Sequence, residues 1–282
     1  MEFSPLTQAD IDGAAAWMRD IPLRADRWRG YDTRSLVATA SGVPVAAGIM
    51  WTSRVHGDRY WFEIAVAPEH RRRGVARAVF AALSARRARR IPFIARGYVD
   101  EDRLAFVRAL GARTIQVVPP AAVAVGARDV LRPHGAVRAA TSAGWDELRA
   151  ANAATYEWTH ADWSPVGPDF SLALNEDLAE ELDAEASSIA VVDGRIAATC
   201  LVYRDSAPPV VTAETVARTT PDGELLVEGC VRRSLEVLAD RGTDVTEFDG
   251  HVSDPHFLPV WTRLSPDGRW FHLVEVPADG PG

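Results

Sequence analysis

Residues 66–83, VAPEHRRRGVARAVFAAL, set three consecutive arginines before a glycine and then run into an alanine-rich helical pattern. A strand that ends in a turn and feeds a helix aims several backbone N–H groups at one point, where the helix dipole adds partial positive charge. Gly74 keeps that turn free of a Cβ, Ala76 keeps the first helical turn slim, and Arg71, Arg72 and Arg73 add charge-assisted donors. The turn reads as a pocket for a compact anion such as a pyrophosphate; a solvated basic loop before an ordinary helix is the alternative. All 31 basic residues are arginine. With no lysine after the glycine, a nucleotide-hydrolysing P-loop is excluded.

The segments around the turn place it in a layered α/β arrangement. SLVATA and VPVAAGIMW read as two strands joined by a Ser-Gly turn, and RYWFEIAVAP reads as a third strand leading into the arginines. DIDGAAAWM has helical spacing. Val75, Val79, Phe80 and Leu83 form one apolar stripe of the helix after the turn. PFIARGYV is a further strand, DRLAFVRALGA a short helix closed by Gly111, and TIQVVPPAAVAV follows. The expected fold is an α/β (α+β) mixed sheet covered by helices.

The second half repeats this plan. GWDELRAANAATYEW and the very acidic DLAEELDAEA read as helices, SSIAVVDGRIAATCLVY as a hairpin turning at Asp193-Gly194, and VVTAETVA as the next strand. Val227, Val231 and Leu235 repeat the apolar stripe 152 positions after Val75, Val79 and Leu83, and DPHFLPVWTRLSP follows DEDRLAFVRALGA with a shift of 154. The ordered series points to an internal duplication, with domains at 1–133 and 134–282. Charge divides the same way. Residues 1–133 hold 21 Arg against 13 Asp and Glu, for +8, and residues 134–282 hold 10 against 26, for −16. Acids interrupt the basic half and interleaved aromatics are lacking, so a compact anionic ligand suits it better than nucleic acid.

At 47% hydrophobic, 282 residues suffice for two ordinary cores. No apolar run of about 18 residues marks a membrane span, and the first residues lack the basic flank and apolar stretch of an export signal. Cys200 and Cys230 have neither CxxC spacing nor a histidine pair nearby, so no disulfide framework and no metal site is expected, and a reducing cytoplasm fits.

Arg71-Arg72-Arg73-Gly74-Val75-Ala76 resembles the acetyl-coenzyme A loop of the GNAT N-acetyltransferase superfamily, Q/R-x-x-G-x-G/A. The preceding Val66-Ala67-Pro68 is similar to the V-x-P that ends the family's strand, and LAFVRALGA to its closing helix. The resemblance covers about residues 3–125 and implies two tandem acetyltransferase-like domains, each a mixed, mainly antiparallel sheet flanked by helices. It implies acetyl-CoA as co-substrate. The pantetheine arm would lie along the backbone of Ile64, Ala65 and Val66, as in strand addition, and the loop amides would hold the pyrophosphate. The implied reaction is direct acetyl transfer in a ternary complex to a primary amine, on a small molecule or a peptide.

The resemblance places a general base at Glu63; pairing with a nearby arginine is the other reading of that carboxylate. Val107 stands where the family often has a proton-donating tyrosine, and Tyr98 is the substitute candidate, with plain packing as its alternative. His70 adjoins the loop and would reach a phosphate or only solvent. YEWTHADWSP and RWRGYDTR gather aromatic and charged residues that suit an acceptor site or simple packing. By the 152 offset, Arg71, Gly74 and Ala76 become Gly223, Leu226 and Glu228 beside Asp222 and Glu224, so the second half is expected to be a degenerate domain that repels a pyrophosphate. The rival to the enzyme is a non-catalytic acyl-CoA-binding or regulatory protein. A nucleic-acid binder using Arg86, Arg87, Arg89 and Arg90 is the remote third reading, and those arginines sit where a helix C-terminus favours positive charge anyway.

Overall fold

The computed structural model describes residues 1–30, 32–204 and 206–279. The first half runs β1 (Glu2–Pro5), α1 (Gln8–Asp12), β2 (Arg34–Ala40), β3 (Val43–Thr52), β4 (Tyr60–Val66), α2 (Val75–Ser84), β5 (Phe93–Tyr98), α3 (Asp102–Arg108), β6 (Arg113–Val118) and β7 (Ala122–Ala124). Then come β8 (Val137–Ala139), α4 (Trp145–His160), α5 (Phe170–Leu174), α6 (Leu178–Glu181), β9 (Ser188–Val192), β10 (Arg195–Tyr203) and β11 (Val210–Thr215). The chain closes with α7 (Gly223–Asp240), β12 (Val245–Phe248), α8 (Phe257–Arg263) and β13 (Phe271–Val276).

Two mixed sheets result. One has the strand order β1-β2-β3-β4-β5-β13-β6 and the other β7-β12-β11-β10-β9-β8. β1 to β4 are joined by antiparallel ladders, and β4 meets β5 in parallel. The second sheet repeats this: its ladders are antiparallel except for the parallel pair β11–β12. In these orders β13 stands between β5 and β6, and β7 neighbours β12.

Compact contacts divide the chain into one unit of residues 1–95, 106–113 and 274–282 and another of 96–105 and 114–273. These units are interleaved in sequence and differ in outline from the consecutive halves 1–133 and 134–282.

In the first unit, the helix after the arginine turn forms because its apolar stripe has a sheet to bury. Val79, Phe80 and Leu83 are buried, and Gly48 of β3 lets them approach: a Cβ there would lie 2.7 Å from Val79 Cγ1 and 2.9 Å from Leu83 Cδ1. The rings of Phe62, Phe80 and Phe93 form a triangle with centroids 5.0, 5.5 and 4.9 Å apart, which joins β4, α2 and β5. Each such pair adds about 0.5–1.5 kcal/mol beyond the area it buries. The end of the chain is fastened by charge. Glu275, 7% exposed, accepts hydrogen bonds from Arg59 Nε at 2.7 Å and Arg113 Nη2 at 2.8 Å.

In the second unit, Val227, Cys230, Val231 and Leu235 of α7 bury one face of the sheet with Cys200, Val211 and Ala213. α4 covers the other face through Leu148 and Ala151 against Ile189 and Ile196. The hairpin turns at Asp193 and Gly194, both at positive φ (50° and 75°), as its two-residue type I′ loop demands. Two helices are shorter than the sequence pattern implies. DIDGAAAWM is helical only to Asp12, where Gly13 caps it, and Ala16–Asp20 is a 3-10 turn. DLAEELDAEA keeps one helical turn at Leu178–Glu181, because the Asp183 amide donates to Val202 O and Arg241 pairs with Asp183 and Glu185.

Candidate functional site

β4 delivers the chain to the arginine turn. Its parallel ladder with β5 consists of Tyr60↔Phe93 and Trp61↔Ile94, and β4 then runs on to Val66 while staying paired with β3 on its other side. The two parallel strands thus fork after Trp61. Ile64, Ala65 and Val66 are on the extended arm of the fork, Ala65 buried and the other two half-buried. Glu63 is half-buried on the same arm, opposite Ile49 in the β3 ladder.

Past the fork, Pro68–His70 make a 3-10 turn and Arg71 folds back so that its Nε donates to Val66 O at 3.1 Å. Arg72 has φ +61° and Gly74 has φ +79°, both left-handed. A Cβ on Gly74 would meet nothing within 4 Å, so the backbone conformation, not crowding, calls for glycine there. Gly74 is the N-cap of α2, and no side chain caps that end. The first amides of a helix have no intrahelical acceptor, so they point outward beside exposed Arg71, Arg72 and Arg73. Val75 and Ala76 begin the helix, both half-buried. An uncapped helix start, a left-handed glycine and three exposed guanidinium groups fit a diphosphate. Arg77 Nη2, one turn on, donates to Ala109 O at 3.0 Å and pins this turn to the chain after α3.

The remaining candidates fall in several places. Tyr98 belongs to the second compact unit and Glu63 to the first. The Tyr98 ring packs edge-on against Phe271 at 5.2 Å and lies 4.0 Å beneath the Arg269 guanidinium carbon. Val107 is 1% exposed, a core residue. His70 is half-buried at the end of its 3-10 turn. The Arg86–Arg90 cluster serves the fold: Arg86 donates to Ala82 O, Arg87 to Ser84 O, Ile91 O and Ala278 O, and Arg89 to Gly57 O, while Arg90 pairs with Asp279. Trp28 of RWRGYDTR is half exposed between the guanidinium groups of Arg24 (5.0 Å) and Arg29 (4.3 Å); Tyr31 lies outside the described residues. In YEWTHADWSP, Trp158, Asp162 and Trp163 line a cleft of about 170 Å³ with Gln116, Arg218 and Ser253, and Asp162 already pairs with Arg218 at 3.0 Å. Cys200 and Cys230 are fully buried and free; burial pushes the Cys200 thiol up to about 12 and Cys230 also well upward, so neither is a nucleophile.

The second unit repeats the fork and closes it. β11 pairs with β12 only at Val210↔Glu247 and Val211↔Phe248 and runs on to Thr215. There the Thr215 carbonyl accepts from Trp158 Nε1 at 2.7 Å and Thr155 Oγ1 at 3.2 Å, so helix α4 fills the opening. The N-cap of α7 is Asp222, left-handed at φ 55°, in the place Gly74 holds before α2. The duplication offset at the helix start is therefore 148 and not 152, a difference of one helical turn that leaves the apolar stripe in register. Around that start, a Cβ on Gly223 would clash with the His256 ring at 2.8 Å, and Arg263 pairs with Glu224 at 2.7 Å. Glu228, 1% exposed, is held by Arg132 at 2.7 Å. Burial pushes its carboxyl up, but the Arg132 hydrogen bonds and the Arg263 charge outweigh this and lower it. This helix start already holds its own anions.

The model of the acetyltransferase (GNAT) family matches residues 9–111. Solved structures of similar fold include a GCN5-related N-acetyltransferase from Sphaerobacter thermophilus, at 16% identity and TM-score 0.61 over all of this chain and 96% of that one. A tandem GNAT protein from the clavulanic acid biosynthesis pathway aligns at 17% identity and TM-score 0.57 over 100% and 99% of the two chains. The glucosamine N-acetyltransferase region of a fungal multi-domain GH3 β-N-acetylglucosaminidase aligns at 16% and 0.60, over 97% of this chain and 38% of that one. At these identities the likeness is one of fold, here a tandem GNAT-like fold of two mixed sheets flanked by helices. No curated protein sequence matches the chain.

Proposed function

We propose that the chain is an acetyl-CoA-dependent N-acetyltransferase whose cofactor domain is residues 1–133 and whose residues 134–282 form a degenerate partner domain. The observation that carries this reading is the β4–β5 fork leading straight into an uncapped helix start with a left-handed Gly74. Acetyl-CoA would supply the acetyl group as an activated thioester. The backbone of Ile64, Ala65 and Val66 holds the pantetheine arm in this reading. The turn Arg71–Ala76 holds the diphosphate through its amides, and Arg72 and Arg73 neutralise its charge. Glu63 takes a proton from the acceptor amine, directly or through water, so that a neutral nitrogen attacks. Tyr98 is the candidate donor for the departing thiolate. The acceptor is a primary amine of a small molecule or peptide, and no metal is required by these roles. The two buried thiols fit a reducing compartment such as the cytoplasm.

A second reading, a protein that binds an acyl-CoA without transferring its acyl group, draws support from Val107, a buried core residue where the resembled family often has its acid. One experiment separates them. Thiol release from acetyl-CoA is followed with a panel of primary amines for the wild type and Glu63→Gln. Amine-dependent release that falls about 100-fold in the variant supports the enzyme, and saturable cofactor binding with no release on any amine supports the second reading.

A further inference from the structure

The cleft of about 170 Å³ in the second unit carries chemistry that the proposed cofactor site leaves unused. Its apolar walls are Trp158, Trp163 and Ile115, all half-buried. Both indoles are held in place. Trp158 Nε1 donates to Thr215 O at 2.7 Å, and Trp163 Nε1 donates to Thr159 O at 2.9 Å with the rings of His160 and His251 packed beside it at 4.8 and 5.1 Å. Rings already fixed lose little freedom when a flat ligand settles against them. A cavity of about 150 Å³ admits a benzene ring, so this cleft has room for one aryl group and not for a coenzyme.

The polar lining consists mainly of donors with capacity to spare. Gln116, 5% exposed, is fixed at both ends of its amide: Oε1 accepts from the Val117 N–H at 2.8 Å, and Nε2 donates to Ser253 Oγ at 2.9 Å. That bond uses one of the two Nε2 hydrogens, and Ser253, the acceptor in it, keeps its own hydroxyl proton to donate. Among the described residues neither group has a further partner. Arg218 spends Nη1 on Asp162 Oδ2 at 3.0 Å, which leaves its Nε and Nη2 and the Asp162 Oδ1. Both side chains of that pair are mostly exposed, so the pair adds little stability and yields readily to a better partner.

These groups select the charge of a ligand. A carboxylate alone would meet the donors of Gln116, Ser253 and Arg218 but also the Asp162 charge, in a half where residues 134–282 hold 26 acids against 10 arginines. An ammonium alone would meet Asp162 and be repelled by Arg218. An α-amino acid carries both charges side by side and satisfies both rim groups without adding net charge. A peptide terminus carries only one of them. We propose that this cleft binds a free aromatic α-amino acid, its ring against Trp158, Trp163 and Ile115, its carboxylate on the donors of Gln116, Ser253 and Arg218, and its ammonium on Asp162. The site lies within the second unit and does not depend on acetyl transfer by the first.

The test titrates L-phenylalanine into the full chain without acetyl-CoA, beside 3-phenylpropionate, which lacks the ammonium, and 2-phenylethylamine, which lacks the carboxylate, following heat and tryptophan fluorescence. Saturable binding of L-phenylalanine, at least about fivefold tighter than either analogue, is expected. Arg218→Gln should weaken it about tenfold and erase its advantage over 2-phenylethylamine, and Asp162→Asn should weaken it severalfold and erase its advantage over 3-phenylpropionate. Both residues are exposed, so thermal melts of the variants should match wild type. Should either variant unfold, the ranking of the three ligands on wild type still decides. No saturable binding up to about 10 mM, or equal affinity for all three ligands, overturns the proposal. Affinity for L-phenylalanine that neither substitution changes overturns it too, since the amino acid would then be bound elsewhere, as at an acceptor site of the first unit.

Discussion

Gly74 offers a prediction in which strain and charge can be read separately. At φ +79° an L-residue is strained by about 1–2 kcal/mol, and no atom lies within 4 Å of the added Cβ, so Gly74→Ala should cost that strain and nothing for crowding. Gly74→Glu carries the same strain and adds one negative charge. A carboxylate about 6 Å from a diphosphate bearing roughly two charges in a water-like medium adds about 1.5 kcal/mol of repulsion, and several times more if solvent is excluded. Acetyl-CoA should therefore bind the glutamate variant at least about tenfold more weakly than the alanine variant, with the two melting temperatures close together. Isothermal titration of both variants, with thermal melts alongside, makes the comparison. Equal affinities would refute the placing of a diphosphate at this helix start. A loss of stability beyond about 3 kcal/mol in Gly74→Ala would refute the reasoning that space is open there.

Three further outcomes follow from the packing and charges. Gly48→Val should destabilise the first unit by about 1–3 kcal/mol, because the new Cβ meets Val79 at 2.7 Å and Leu83 at 2.9 Å; urea denaturation measures it. Burial pushes Glu275 up, but hydrogen bonds and charge from Arg113 and Arg59 prevail and its carboxyl lies below the usual range. A depressed carboxylate adds stability that is present above its unfolded value near about 4.3 and is lost as the pH falls through the lower folded value. Melts between about pH 5 and 3 should therefore fall more steeply for wild type than for Glu275→Gln, and parallel curves would contradict the pairing. Cys200 and Cys230 should react with a thiol reagent only after denaturation, and fast reaction of either in the native protein would contradict their burial.

Local chemistry made the candidate site legible. The left-handed glycine, the helix after it and the strand before it are written within residues 60–84, and their apolar spacing shows which side each buries. The hairpin at Asp193-Gly194 was legible for the same reason. Long-range pairing was not. The alternating FHLVEV near the C-terminus is a strand signal, but nothing local tells that β13 enters between β5 and β6 or that Glu275 meets Arg59 and Arg113. The acidic DLAEELDAEA has helical composition, and tertiary bonds to Asp183 and Glu185 decide its shape instead. A periodic stripe fits equally well one turn away, which is why the repeat offset missed Asp222 as the counterpart of Gly74.

The measurement that bears most directly on the account is the stoichiometry of acetyl-CoA binding by calorimetry. The open helix start before α2 and the occupied one before α7 predict saturable binding at one site per chain, abolished or strongly weakened in Gly74→Glu. Absence of binding, two equivalent sites, or a single site indifferent to that substitution would contradict it.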